Sequence, residues 1–385
     1  MDFTINYDFT IPTRVHSGYG ILDRMDSIIS GEKLGRNILL VTGKTAMKKL
    51  GVTARLTDLL KKAGRNVVLY DAVEPNPTNH RVDDGVRLAV SERCDAVMGL
   101  GGGSPIDAAK GIAVAAGNGG EIWDYAEPGA DTSKTLPIIA VPTTSGTGTD
   151  CDRYFVLTNP EKKSKIGFAF DEAYPAVSIL DPKLTETMPR QTTLDTAMDI
   201  MGHCYESYIS RMRNPFGEII GLNGIRLVYD YLPKVLENER DAEARSALML
   251  AAAFGGIAID RGGVCSPHGI AMKLGGLYNI THGQGVGIIL PYALENARPH
   301  IDDKLDFMAR FFGEDRGSRE KNAEAMVRKL FDFVESIGFK TKLSEVGITE
   351  EMIPEVMQRC VDDDDIENDP ADFTGNIESF FRKML

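Results

Sequence analysis

Of the six histidines in 385 residues, two, His268 and His282, fall within one glycine-rich stretch, "PHGIAMKLGGLYNITHGQG". A third, His203, follows Asp199 by four residues in "LDTAMDIMGHCYESYIS". That spacing puts a carboxylate and an imidazole on one face of a helix. Taken alone, such a pair is more often a capping or surface hydrogen bond than a ligand pair. His268 and His282 add donors from two further elements, since Gly275-Gly276 is expected to break the helix between them. One carboxylate and three imidazoles suit Fe2+, Zn2+ or a similar borderline divalent ion. A rival spacing, Cys265-x-x-His268, lacks the second cysteine pair of a structural zinc. His16, His80 and His300 stand in polar settings and read as solvated surface side chains.

A second candidate is "AVMGLGGGSPIDAAKG", which runs from an apolar strand into a helix. Gly101, Gly102 and Gly103 let the backbone approach a ligand closely, with Ser104 read as the N-cap and Pro105 as the first helical residue. Free amides at a helix start favour a pyrophosphate. The G-x-G-x-x-G fingerprint is not matched, because Ser104 occupies its last glycine position. From the residues alone, the ligand is a phosphate-bearing cofactor. "VPTTSGTGTD", Val141 to Asp150, suits the same cofactor or equally a plain polar loop.

These residues need two kinds of scaffold. From about residue 37 to 142, apolar runs such as "NILLVTG", "NVVLYDAV" and "LPIIAVP" alternate with helical patterns. Runs without polar alternation predict strands covered on both faces, hence a parallel sheet wrapped by helices. From about Gln191 the patterns are long and helical, as in "IIGLNGIRLVYDYLPKVLENE", and nothing reads as a strand. The expected architecture is an α/β nucleotide-binding domain over residues 1–182 and an all-α metal and substrate domain over residues 183–385. Ligands are expected in the cleft between the two.

Composition limits the rest. The 43 Lys+Arg against 56 Asp+Glu give a net charge of −13, which disfavours nucleic acid and acidic membrane surfaces as partners. No run approaches a membrane span, and the N-terminus lacks the apolar core of a signal peptide. Five scattered cysteines without export signal fit a reducing cytoplasm.

Together, "GLGGGSPIDAAK", "VPTTSGTGTD", "MDIMGHCYESYIS" and "PHGIAMKLGGLYNITHGQGVGIILPYALE" resemble the iron-dependent (group III) alcohol dehydrogenases. The likeness covers nearly the whole chain, with four separated motifs in order. It implies a hydride-transferring oxidoreductase acting on a small alcohol or aldehyde with NAD(P)(H), assembled as a homo-oligomer, a dimer. The family's metal ligands fall on Asp199, His203, His268 and His282, with Fe2+ favoured and Zn2+ the alternative. Its pyrophosphate loop falls on Gly101 to Ser104, and its nicotinamide-side loop on Thr143, Thr144 and Thr149. Many NAD-using members carry Asp where this chain has Gly43, followed by Lys44, which predicts NADP(H) over NAD(H).

The chain departs from the family pattern around the substrate. Met272 replaces a second histidine four residues after His268, Arg261 stands where the family often has Asn, and Asp152 lies in an altered loop. Arg261 suits an anionic substrate group, although Asp152 is an alternative partner for it. Two other readings compete with a dehydrogenase: a non-redox enzyme of the same fold, like the dehydroquinate synthases, and a non-catalytic assembly protein. Four intact ligands argue against the last.

Overall fold

The computed structural model describes residues 4–32, 34–212, 214–361, 363–373 and 377–385. The chain forms two compact units, one of residues 10–187 and one of residues 188–385 together with the described residues before Thr10.

In the first unit, six strands form one parallel sheet: β1 (Arg14–Ser17), β2 (Asn37–Gly43), β3 (Asn66–Val73), β4 (Ala96–Gly101), β5 (Ile138–Pro142) and, after the ribbon described below, β8 (Val177–Leu180). Their spatial order is β1-β8-β5-β4-β2-β3. Helices α1 (Met25–Gly31), α2 (Ala46–Lys49), α3 (Val52–Lys62), α4 (Asn79–Ser91) and α5 (Gly103–Asn118) connect them. The uniformly apolar strands are explained by two cores on opposite sheet faces. Leu39, Val41 and Val97 pack on one side, while Ile38, Leu40 and Met98 pack on the other.

Two features differ from the sequence reading here. Helix α5 begins at Gly103 with Gly102 as its N-cap, so Ser104 and Pro105 lie inside the first turn. The chain turns into the helix while still in the glycines, which need no side-chain cap. An antiparallel ribbon, β6 (Tyr154–Asn159) and β7 (Ser164–Ala169), was not anticipated. It closes over α5 through stacked Phe155 and Phe168, whose ring centroids are 5.0 Å apart.

The second unit holds helices α6 (Arg190–Ile209), α7 (Pro215–Glu237), α8 (Ala242–Gly262), α9 (Ser266–Tyr278), α10 (His282–Phe311), α11 (Arg319–Ser336), α12 (Ile353–Arg359), α13 (Asp364–Glu367) and α14 (Ile377–Lys383) around one apolar core. No strand occurs among its described residues. Helix α8 is long and apolar enough to cross a bilayer, but it packs against α6 and α7 with most of its apolar window buried. Helix α9 runs through Gly275-Gly276, contrary to the expected break. It ends at Asn279, whose left-handed backbone (φ 57°) caps it with a hydrogen bond to the Gly275 carbonyl.

Candidate active site

Helix α6 is the base of the cluster of candidate metal ligands. Asp199 and His203 project from one face, α9 supplies His268 in its first turn, and α10 opens with His282. The Asp199 Oδ1 lies 3.5 Å from His268 Nε2, 3.5 Å from His282 Nε2 and 3.9 Å from His203 Nε2. The ligand atoms of Asp199, His268 and His282 all fall within 4.8 Å of one another. The His203 ring stacks on His268 at 4.6 Å.

Two buried atoms in this cluster, Asp199 Oδ1 and His268 Nε2, have no hydrogen-bond partner among the described residues. Leaving such groups unmatched costs about 1–3 kcal/mol each, so their convergence calls for a cation. Donors bound at about 2.1 Å in tetrahedral geometry sit about 3.4 Å apart. The observed 3.5–3.9 Å separations are close to that. The donor set therefore fits Fe2+ or Zn2+.

Electrostatics agree with the geometry. Burial alone would lower the His268 pKa, but the Glu206 and Asp199 carboxylates outweigh it and raise it to about 10. Burial alone would raise Asp199, yet the facing imidazoles hold it below the usual carboxylate range. Both shifts express one demand for positive charge inside the cluster.

Close packing makes room for the rings. A Cβ on Gly202 would stand 2.4 Å from Val286 Cγ1 and 3.0 Å from His268 Cε1, so only glycine admits α9 and α10 this near α6. His282 is the most open of the four candidate ligands, with 30% of its side chain exposed. Its loop is fixed by Thr281, whose hydroxyl donates to Asp195 Oδ2 at 3.1 Å.

Sequence reasoning missed Glu206. It is fully buried on α6, with Oε1 2.6 Å from His268 Nδ1. Its Oε2 accepts the backbone N–H groups of Cys265 (2.7 Å) and His268 (3.3 Å). The signal was available, because 199, 203 and 206 share one helical face.

In the α/β unit, the candidate coenzyme residues collect at one sheet edge. Strands β5, β4 and β2 are neighbours, so Thr143, Gly101 and Gly43 end side by side, and the Thr143 N–H donates to the Gly101 carbonyl at 2.8 Å. Successive strands are added in opposite directions from β2 and from β4, which makes the gap between them the switch point at which open parallel sheets bind ligands. Gly101 has φ 149°, and a Cβ there would meet the Pro105 ring at 2.6 Å. A Cβ on Gly102 would meet the Thr144 Oγ1 at 3.2 Å. The first amides of α5, at Gly103 and Ser104, have no intrahelical acceptor.

Other residues singled out above have local partners. Thr149 donates to Asp107 Oδ1 at 2.8 Å. Asp152 is 1% exposed and binds the buried Lys110, Nζ to Oδ1 3.0 Å. Arg261 lies in the last turn of α8, its Nε 3.2 Å from Asp260 Oδ2. Lys44 bonds Glu74, whose carboxylate is also 3.8 Å from Arg81. Met272 is partly exposed one turn beyond His268. Of the remaining histidines, His80 and His300 are exposed, whereas His16 is only half-exposed on β1.

Comparison with known proteins follows the same division. The profile described as "Iron-containing alcohol dehydrogenase" matches residues 12–182, and "Fe-containing alcohol dehydrogenase family, C-terminal" matches residues 193–385. The chain is 34% identical to a 1,3-propanediol dehydrogenase of Citrobacter freundii, over 91% of this chain and 92% of that protein. An archaeal Red Sea brine pool alcohol dehydrogenase superposes with a TM-score of 0.92 at 32% identity, covering 100% of both chains. A sulfoacetaldehyde reductase from Bifidobacterium kashiwanohense, solved with NAD+, gives a TM-score of 0.89 at 27% identity over 99% of both chains. The chain belongs to the iron-containing alcohol dehydrogenase family and is an oxidoreductase that moves hydride between a nicotinamide coenzyme and a small alcohol or aldehyde.

Proposed function

We propose that Asp199, His203, His268 and His282 hold a divalent ion, Fe2+ with Zn2+ as the alternative, at which a short aldehyde or alcohol reacts. The observation that carries this is the unmatched pair of Asp199 Oδ1 and His268 Nε2 facing two further imidazoles. When bound, such an ion acts as a Lewis acid on a substrate oxygen, and hydride chemistry belongs to the coenzyme. The chain's own contribution is placement. Buried Asp199, His203 and His268 keep three donors dry, and the more open His282 leaves access for substrate. Met272 has no exchangeable proton, so the substrate oxygen exchanges its proton through water on that side. Replacing His268 by Ala should remove bound metal and lower kcat/KM at least 10^3-fold, with the circular dichroism spectrum retained. Full metal content and activity in His268→Ala would refute the site.

The Gly101–Ser104 turn and Thr143–Thr144 are the proposed pyrophosphate and nicotinamide-side contacts. Thr149 is proposed to support them through Asp107. For the coenzyme, NADP(H) is preferred over NAD(H). Gly43 offers no carboxylate to a ribose hydroxyl, and the half-exposed Lys44 beside it supplies a positive charge for a 2′-phosphate. The preference is wrong if kcat/KM with NADH exceeds that with NADPH.

The substrate is proposed to include aldehydes bearing a carboxylate or sulfonate, bound by Arg261, with Met272 lining the same side. The related reductase named for sulfoacetaldehyde supports that class. Asp152 is proposed to order the loop after β5 through Lys110. The enzyme is further proposed to work as a cytoplasmic homodimer; its five cysteines are all free and buried, which suits a reducing compartment.

A further inference from the structure

We infer that Glu206 is a positioning residue that fixes the tautomer of His268, and that its charge, beyond its shape, keeps the metal cluster competent. This rests on the proposed metal site. A carboxylate can only accept hydrogen bonds. Its Oε2 is occupied by two fixed donors, the backbone N–H groups of Cys265 and His268. Its Oε1, 2.6 Å from His268 Nδ1, must therefore receive the proton on that nitrogen. With Nδ1 committed to Glu206, Nε2 is the nitrogen left to a cation beside Asp199 Oδ1, 3.5 Å away. Glu206 is 0% exposed and His268 5% exposed, so water does not offer an alternative partner.

The isosteric Glu206→Gln variant isolates this effect. The two backbone N–H groups hold their places, so the glutamine oxygen must face them. Its NH2 group then faces Nδ1 and donates to it, which moves the imidazole proton to Nε2. Every buried hydrogen bond survives in number, but the nitrogen aimed at the cluster becomes a donor. A merely structural role for Glu206 would leave metal affinity unchanged, because packing and hydrogen-bond count are preserved.

The test is chelator competition with Zn2+ and Fe2+ on demetallated wild type and Glu206→Gln, beside their melting temperatures. We expect the Kd for metal to rise about 10–100-fold while the melting temperature of the metal-free protein stays within a few degrees. A Kd equal to wild type overturns the inference. Should Glu206→Gln fail to fold, the histidine 15N spectrum of Zn2+-loaded wild type decides: a proton on His268 Nδ1 supports the inference, and an unprotonated Nδ1 overturns it. Wild type that binds neither ion would instead overturn the metal site itself, which keeps the two failures distinct.

Discussion

Arg261 is the side chain at which the proposed anionic substrate class can be tested directly. Its guanidinium lies in the last turn of α8 with 28% of the side chain exposed, and its Nε is 3.2 Å from the buried Asp260. A guanidinium is planar and always charged, and its geometry matches a carboxylate or sulfonate fork to fork. Arg261→Ala should therefore raise KM for an aldehyde bearing a carboxylate or sulfonate about 10–100-fold, the scale of a lost charged hydrogen bond of about 1.5–3 kcal/mol. KM for a neutral aldehyde of equal length should change less than about 3-fold. Steady-state kinetics with both substrates checks this, and equal effects on the two would return Arg261 to a structural role. Single residues were also where the sequence was most legible. Asp199, His203, His268 and His282 declare themselves as candidates by residue type and spacing, and the ligand atoms of Asp199, His268 and His282 lie within 4.8 Å of one another. Glu206 did not, because a glutamate on a helix ordinarily faces water, and only the packing of α9 against α6 puts it at 0% exposure.

Elements were harder to read than residues, because their ends depend on tertiary partners. The start of α5 falls at Gly103 since the glycine turn is held by the loop after β5, and α9 continues through two glycines because its other face is pinned in the core. The β6–β7 ribbon was hidden because its value comes from covering α5, which local pattern does not express. That ribbon and α5 share a buried polar network. Asp107 accepts from Thr149 and from the Val156 N–H, while Lys110 donates to Asp152 Oδ1 and to the Tyr154 carbonyl. Burial pushes the Asp107 pKa up to about 6, against the opposing pull of Lys110 and the Thr149 hydrogen bond. A carboxyl whose folded pKa is raised binds a proton on folding between pH 4 and 6, so its contribution stabilises at low pH and is lost as pH rises through about 6. Asp107→Asn removes the charge and keeps the bonds: the amide oxygen accepts from Val156, and the amide NH2 donates to Thr149 Oγ1, whose own hydrogen turns to the Tyr154 carbonyl. The melting temperature of Asp107→Asn relative to wild type should therefore be higher at pH 7 than at pH 4.5, by about 2–4 °C. A difference of opposite sign in differential scanning calorimetry would show that the charge is needed by Lys110 more than burial resists it.

At the scale of the whole molecule, the parallel sheet was legible because apolar strands must be covered twice, while its exposed margin was not. Strand β1 sits at the end of the sheet order, paired only with β8 among the described strands, so its outer edge offers unpaired backbone groups. Natural proteins seldom leave such an edge bare. Around it the chain exposes Ile11 (38%), Val15 (40%) and Tyr19 (46%), three large side chains within nine residues. An apolar stretch bordering an open strand is what a twofold partner would cover, with the same patch used by both copies. The net charge of −13 keeps the rest of the surface repulsive, so association should be confined to this margin. Light scattering of the wild-type enzyme should read twice the chain mass. In Ile11→Lys/Val15→Lys, each copy would bring two ammonium groups to a self-complementary patch, and like charges meeting there cost several kcal/mol. The double variant should run as a monomer at micromolar concentration, with its metal content unchanged because Asp199, His203, His268 and His282 all lie in the helical unit. A variant that stays dimeric would move the interface away from β1, and a monomeric wild type would remove it.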